Sequence, residues 1–241
     1  MATQYAFGQI VKNGLILSVD AADKNSYPGS GNDWDDLTQN QNILTLYSSS
    51  VYSTSGNGSI SFNGTTAGVS GSNASVYTIT AAISLEVWAY LTISGNIFII
   101  GKGPSNGAAT FYPGNYELQT NTNNVISFLH QTTTTASDTS YAFYNTANNS
   151  YSLNTWTHII ATCDGTTSTI YTNGITRTTT RGFAGTNGGL ISTNTQTLKI
   201  GRRTDGLVMG GNIGLVRMYN RVLSATEAIQ NYNAQKSRFG L

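Results

Sequence analysis

Apolar and polar residues alternate along much of this chain. From Ile83 to Leu91, the apolar residues Ile83, Leu85, Val87, Ala89 and Leu91 take every second place, with Ser84, Glu86, Trp88 and Tyr90 between them. A strand sends successive side chains to opposite faces, so this spacing predicts a strand with one face in a core. Short runs of the same kind recur: GLILSVDA, ILTLY, GSISFNG, NIFIIGKG, NYELQT, NVISFLHQT, TWTHIIATCD, TSTIYTNG, QTLKIGR and IGLVRMYNR. Gly, Asn, Ser and Thr separate them, and such residues make turns; Asp164-Gly165 is placed to turn one strand into the next. Many short strands at close spacing predict an all-β sandwich of two antiparallel sheets. One stretch departs from the pattern. Ser224 is followed three residues later by Glu227, the spacing of a capping box, and Ala225, Ala228, Ile229 and Tyr232 then fall near one face. That predicts a short C-terminal helix. Thr132–Ser150 reads as a long decorated loop or a pair of irregular strands. With no linker or fixed-period repeat in view, the expected organisation is a single domain over 1–241, with 1–13 an N-terminal extension and 224–241 a C-terminal helix and tail.

Composition narrows the partners. Charged residues are 10% of 241, against about 25% in an average soluble domain. The net charge of +1 provides no basic footprint, so a nucleic-acid partner is not expected. No apolar run approaches the roughly 18 residues of a membrane span, and MATQYAFGQIVKNG has neither the basic nor the apolar part of a signal peptide. The single Cys163 leaves no internal disulfide. Near-zero charge and few lysines weaken self-repulsion and leave strand edges unguarded, which suits packing into an assembly; a homo-oligomer is the expectation. The same surface suits contact with neutral sugars.

Several motifs now coincide. SLNTWTHIIATCDGTTSTIYTNG resembles the central signature of the laminin-G-like branch of concanavalin A-like jelly rolls: Trp156 and His158 in a strand, a Gly-containing turn, then a Tyr-x-Asn-Gly strand end. LKIGRR resembles the strand that follows, and NIGLVRMYNRVLSATEAIQNYN the last strand and its closing helix. SISFNGT and AISLEVWAYL fit upstream, in order. The resemblance spans almost the whole chain and implies a concanavalin A-like jelly-roll sandwich in which Trp156 and His158 are structural. A narrower resemblance lies at the two ends. GLILSVDAADKNSYPGSGNDWDDL and QNYNAQKSRFGL look like tailed-phage structural proteins that carry this domain. This implies a bacteriophage virion component on a fibre, tail or capsid surface, folded in the host cytoplasm and exposed on the particle. Its implied partners are other virion proteins and a host cell-surface glycan. Extracellular relatives often carry an acidic pair in the last strand, where this chain has Gly214 and Leu215.

Candidate chemistry follows from the same residues. Retaining glycoside hydrolysis needs two carboxyls about 5 Å apart, and inverting hydrolysis a wider pair. Glu86 and Glu117 each stand alone in their strands, and no strand offers two acids at alternate places. The expectation is therefore a non-enzyme with no catalytic residues, the alternative being a polysaccharide-degrading glycoside hydrolase on the same fold. Two histidines and one cysteine show no zinc spacing. No cofactor is required, but calcium is an alternative, because Leu17–Leu37 holds five of the 11 acids. There Asp33, Asp35 and Asp36 would supply oxygens. The structural alternative has these acids capping turns, with Trp34 anchoring the segment and Asp36 fixing the turn before Leu37. For sugars, which need aromatic faces and amide groups, the candidates are Tyr112, Tyr116, Tyr141, Phe143, Tyr144 and Asn145. Those aromatics equally suit a core or a subunit interface. Arg177, Arg181, Arg202 and Arg203 are candidates for a basic rim patch, or are ordinary solvated or interface arginines.

Overall fold

A computed structural model describes residues 9–47, 50–72, 74–103, 115–132, 141–184 and 195–241. In chain order the strands are β1 (Leu15–Asp20), β2 (Asp33–Asp35), β3 (Ile43–Tyr47), β4 (Val51–Ser53), β5 (Ser59–Asn63), β6 (Gly68–Ser70), β7 (Ile83–Leu91), β8 (Ile97–Gly101) and β9 (Tyr116–Asn121). They continue as β10 (Val125–Gln131), β11 (Tyr141–Thr146), β12 (Trp156–Cys163), β13 (Ser168–Thr172), β14 (Ile175–Arg177), β15 (Thr179–Ala184), β16 (Lys199–Ile200) and β17 (Gly210–Tyr219). One sheet, here called A, runs β14-β13-β12-β7-β17-β5-β4, with β1 also paired to β17. The other, sheet B, runs β15-β11-β10-β9-β8-β16-β6-β3-β2. Neighbours within each sheet are antiparallel, which lets short turns connect many of them.

The alternation in β7 is realised in space. Ile83, Leu85, Val87, Ala89 and Leu91 lie in the core between the sheets, packed with Leu44, Leu118, Ile126 and Phe128 from sheet B. Each such Ile, Leu, Val or Phe side chain, fully buried, contributes about 1.5–3 kcal/mol. β11 forms a regular strand inside the polar stretch expected to be a loop or irregular strands, because β10 and β15 each pair with it in unbroken register. QTLKIGR yields only the two-residue β16.

The outward face of sheet A is closed by the chain itself. Ser84, Glu86 and Trp88 alternate with the core residues yet have no exposed surface. Helix α1 (Ala225–Gln235) and a 3-10 turn at Lys236–Phe239 supply buried residues to this side. The helix starts where the capping box is formed: Ser224 Oγ accepts from the Glu227 amide (3.2 Å), and Glu227 Oε2 accepts from the Ser224 amide (2.9 Å). Arg221 forks onto the same carboxylate at 2.9 and 2.6 Å. Phe239 stacks on Trp88, with centroids 4.2 Å apart and planes 12° apart, and meets Trp156 at 4.7 Å. Gly214 makes room for it, since a Cβ there would come within 2.6 Å of the Phe239 ring. That close approach is the structural reason why a larger side chain is not accommodated at this place in the last strand.

The acid-rich segment near the start is built into the sandwich. Trp34 has no exposed surface and belongs to the core. The Asp36 carboxylate accepts from the Ser18 amide (2.9 Å), the Thr38 amide (2.9 Å) and the Thr38 hydroxyl (2.8 Å), tying β1 to the turn after β2. Arg238 reaches Asp20 at 2.7 and 2.8 Å and also donates to the carbonyls of Gly56 and Gly58.

Candidate functional site

The outward face of sheet B has a different character. Register places one row of residues side by side across the sheet: Gly182, Phe143, Leu129, Glu117, Gly101, Lys199, Ser70, Thr45 and Asp33. Residues two places along each strand share that face, which adds Gln119, Asn121, Tyr141, Asn145 and Tyr47. Along the row, aromatic residues gather on β11 and basic ones at β16, with Ser70, Thr45 and Asp33 beyond them.

At the aromatic end is a shallow depression of about 220 Å³ lined by Gln119, Asn121, Leu129, Tyr141, Phe143 and Asn145. Phe143 lies over the backbone of β15 because its partner there is Gly182; a Cβ on that glycine would sit 2.0 Å from the ring. Tyr141 stands beside it, with ring centroids 6.2 Å apart. The polar wall is held by a chain of bonds across three strands. Asn121 Nδ2 donates to Ser127 Oγ (2.7 Å), and Ser127 Oγ donates to Asn145 Oδ1 (2.6 Å). Gln119 is buried, and its amide oxygen has no hydrogen-bond partner among the described residues. A buried acceptor left unmatched costs about 1–3 kcal/mol, and the Gln119 residue that carries it lines the depression. Asn121 and Asn145 also border a second depression of about 360 Å³, where Asn96, Asn123 and Asn148 extend the amide-rich surface.

The centre of the row is an ion-pair node. Arg203 Nη1 reaches both oxygens of Glu117 (2.9 and 3.1 Å), and its other edge forks onto Asp205 at 2.8 Å twice. Burial pushes the Glu117 carboxyl up, to about 7, against the pull of the Arg203 guanidinium.

The structure sorts the candidate residues. Tyr141, Phe143 and Asn145 line one depression. Tyr116 and Tyr144 do not join them. Tyr116 is fully buried facing the core, where its hydroxyl donates to the Tyr77 carbonyl (2.9 Å). Tyr144 points to the same inner side, and its hydroxyl meets the Thr166 carbonyl at 2.5 Å. Strand alternation separates both from the outward face. Tyr112 lies outside the described residues. Asp33, Asp35 and Asp36 do not converge: Trp34 points inward between the first two, and the Asp36 carboxylate is taken up by local donors. Among the described residues no three His, Cys, Asp or Glu side chains gather into a group that could hold a metal. The four arginines do not form one patch either, since Arg177 and Arg181 stand at the β14 and β15 edges, whereas Arg202 and Arg203 follow β16, five strands in from β15.

The two isolated glutamates lie on outward faces of different sheets, with the core between them. Glu86 sits at the hub of the polar layer on sheet A. Its Oε1 accepts from Arg217 Nη1 (2.9 Å) and lies 3.0 Å from His158 Nε2. Its Oε2 accepts from Asn231 (2.7 Å) and from the Tyr219 hydroxyl (3.3 Å). Burial pushes this carboxyl up, but Arg217, His158 and Asn231 together hold it down, at about 2. Gln119, Asn121, Ser127 and Leu129 escaped the sequence reading. For the first two the signal was present in NYELQT and the Asn121 that follows it, where alternation already puts Glu117, Gln119 and Asn121 opposite Tyr116, Leu118 and Thr120.

Comparison with known proteins agrees with this architecture. The model of a family described as the concanavalin A-like lectin/glucanases superfamily matches residues 62–228. No curated protein matches the sequence. The chain is similar to the binding domain of botulinum neurotoxin serotype G, with a TM-score of 0.67 and 15% identity, covering 92% of this chain and 51% of that one. The binding domain of Paraclostridial mosquitocidal protein 1 is similar at a TM-score of 0.66 and 12% identity, covering 92% and 52%. The chain thus spans about half the length of these toxin domains. Domain 4 of a GH43 extracellular arabinanase from Geobacillus stearothermophilus, solved in complex with arabinotriose, is matched over its whole length. There the TM-score is 0.62 and the identity 13%, with 92% of this chain covered and 100% of that one. At these identities the likeness is one of fold.

Proposed function

This chain belongs to the concanavalin A-like lectin/glucanases superfamily, and from that premise we propose that it is a non-catalytic carbohydrate-binding module whose site is the outward face of sheet B. The observation that carries this is the depression in which the Phe143 and Tyr141 rings stand side by side, next to Gln119 and the fixed Asn121–Ser127–Asn145 chain. Sugar rings present a patch of C–H groups that packs on an aromatic face and hydroxyls that both donate and accept. An aromatic shelf flanked by amides matches both properties. Glu86 and Glu117 lie on different sheets, and the carboxyl beside Glu117, Asp205, is bound with it to the one Arg203 guanidinium; that engagement supports binding over turnover, because hydrolysis needs two carboxyls turned to one bond.

The module works, in this proposal, as an adhesion component on the surface of a phage particle, contacting a host glycan or neighbouring virion subunits. Its support is the resemblance of Gly14–Leu37 and the closing Arg238-Phe239-Gly240-Leu241 to tailed-phage structural proteins. Many copies on a particle would convert weak single-site binding into firm attachment, since linked sites gain about 10²–10⁴-fold. A glycan array tests the binding: the wild type should retain defined glycans, and Phe143→Ala and Gln119→Ala should lose them while keeping the melting temperature. Release of reducing ends from a bound polysaccharide, or no glycan retained by the wild type, would overturn the proposal.

A further inference from the structure

At the other end of the same row lies a depression of about 330 Å³ lined by Tyr47, Ser70, Lys199, Arg202, Arg203 and Thr204. Its construction repeats the device seen under Phe143. Tyr47 pairs with Gly68, and a Cβ on that glycine would meet the Tyr47 hydroxyl at 2.5 Å, so the ring lies across the strand as a floor. Lys199 Nζ stands 5.6 Å from the centre of that ring and donates to Ser70 Oγ (2.9 Å). Arg202 donates to the Thr66 carbonyl (3.0 Å).

The charges here are unbalanced. Arg203 is satisfied by Glu117 and Asp205. Lys199 and Arg202 have no carboxylate partner among the described residues, although they face one depression. Burial and the nearby Arg202 charge both push the Lys199 ammonium pKa down, the mark of two cations held together without a counter-ion. Two cations, two hydroxyl-bearing side chains and an aromatic floor make a receptor for a compact anion that also carries hydroxyls.

We propose that this depression binds the carboxylate of an acidic sugar, with Lys199 and Arg202 on the carboxylate and Tyr47 under the ring. The site lies four strands from Phe143 along one row, about 19 Å at roughly 4.8 Å per strand. Resting on the glycan reading of the aromatic end, the ligand class is then an acidic polysaccharide laid across the strands. A neutral stretch meets Phe143 and a uronate-type unit meets Lys199 and Arg202.

The test uses polygalacturonate oligomers and the same oligomers with their carboxyls reduced to alcohols, titrated calorimetrically. The acidic oligomers should bind about tenfold or more tightly than the reduced ones, as expected for losing a charge-assisted contact. Lys199→Gln with Arg202→Gln should erase that difference by weakening the acidic oligomers more than the reduced ones. Equal binding of the two series by the wild type, or an unchanged difference in the double variant, overturns the proposal. Free galacturonate followed by NMR separates the two ends. Shifts confined to Gly201, Arg202 and Tyr47 support the anion site even if neutral oligomers never bind at Phe143. Inorganic sulfate producing those shifts while galacturonate does not would overturn a carboxylate site.

Discussion

Arg238 and Asp20, 218 residues apart in sequence, form a two-pronged ion pair at 2.7 and 2.8 Å. The pair joins the end of the first strand to the 3-10 turn that closes the chain, and the same guanidinium gathers the Gly56 and Gly58 carbonyls. Both side chains are largely buried. Arg238→Ala should therefore cost about 2–3 kcal/mol in urea unfolding, because it strands a carboxylate and two carbonyls together. Arg238→Lys should recover only part of this, since an ammonium cannot fork. Equal stability of Arg238→Ala and wild type would show that the pair only decorates the fold.

Glu86 should matter more. Glu86→Ala leaves the buried Arg217 guanidinium without its carboxylate and should cost about 3–5 kcal/mol by denaturant titration. The carboxyl is held at about 2 in the folded chain against an ordinary 4.5. A depressed carboxyl gives stability that is whole above its unfolded pKa and is lost as pH falls, here between about 4.5 and about 2. Acid unfolding followed by tryptophan fluorescence should steepen in that window, and Glu86→Gln should flatten it.

His130 acts at milder pH. Packed between Phe128 and Tyr144, it is pushed down by burial to about 4 from 6.5. The unfolded chain takes up the proton first, so folding stability is lost as pH falls from about 6.5 to about 4, on the order of 3 kcal/mol in all. Glu117, raised to about 7, works in the opposite sense: its contribution is full below about 4.5 and is lost as pH rises to about 7. The wild type should accordingly show a shallow profile between 4.5 and 6.5. His130→Leu should unmask the slope of Glu117, becoming more stable as pH falls through that range. A parallel profile for variant and wild type would remove His130 from the balance.

Gly182 offers a test of the aromatic shelf that leaves its ring in the sequence. A Cβ at Gly182 would strike the far end of Phe143, so Gly182→Ala should lift the ring while the edge strand persists. Glycan retention should fall about as far as in Phe143→Ala, with the melting temperature almost unchanged. Retention at the wild-type level would put the binding surface elsewhere.

Trp34→Ala should destabilise by about 3–5 kcal/mol, the cost of a large cavity in the core. Asp35→Ala should change stability little, because its carboxylate makes none of the bonds that hold the segment. Thermal unfolding of both variants checks the contrast, and a chelator-dependent melting temperature in the wild type would bring a cation back into consideration at these acids.

Much of the sandwich was legible because strand alternation is a local signal. The two faces of Ile83–Leu91 and the capping box at Ser224 can be read directly from the letters. What covers a face is not local. Nothing within ISLEVWAYL says that Glu86 will meet Arg217, Asn231 and Tyr219 from the last strand and helix. The site shows the same division. Aromatic density drew Tyr116 and Tyr144 into the candidate set with Tyr141 and Phe143, whereas the two-residue period separates them. The row from Phe143 to Lys199 depends on register among β8, β9, β10, β11 and β16, set by pairing between segments distant in sequence.

The closure of sheet A by α1 and Phe239 makes the molecule one-sided. One broad face is sealed by its own chain, whereas the proposed site lies on the opposite face, so contacts made through the sealed side are directed away from that site. Copies fixed by that side to a common surface would all point the same way. Their directional alignment would then come from the fold of each copy.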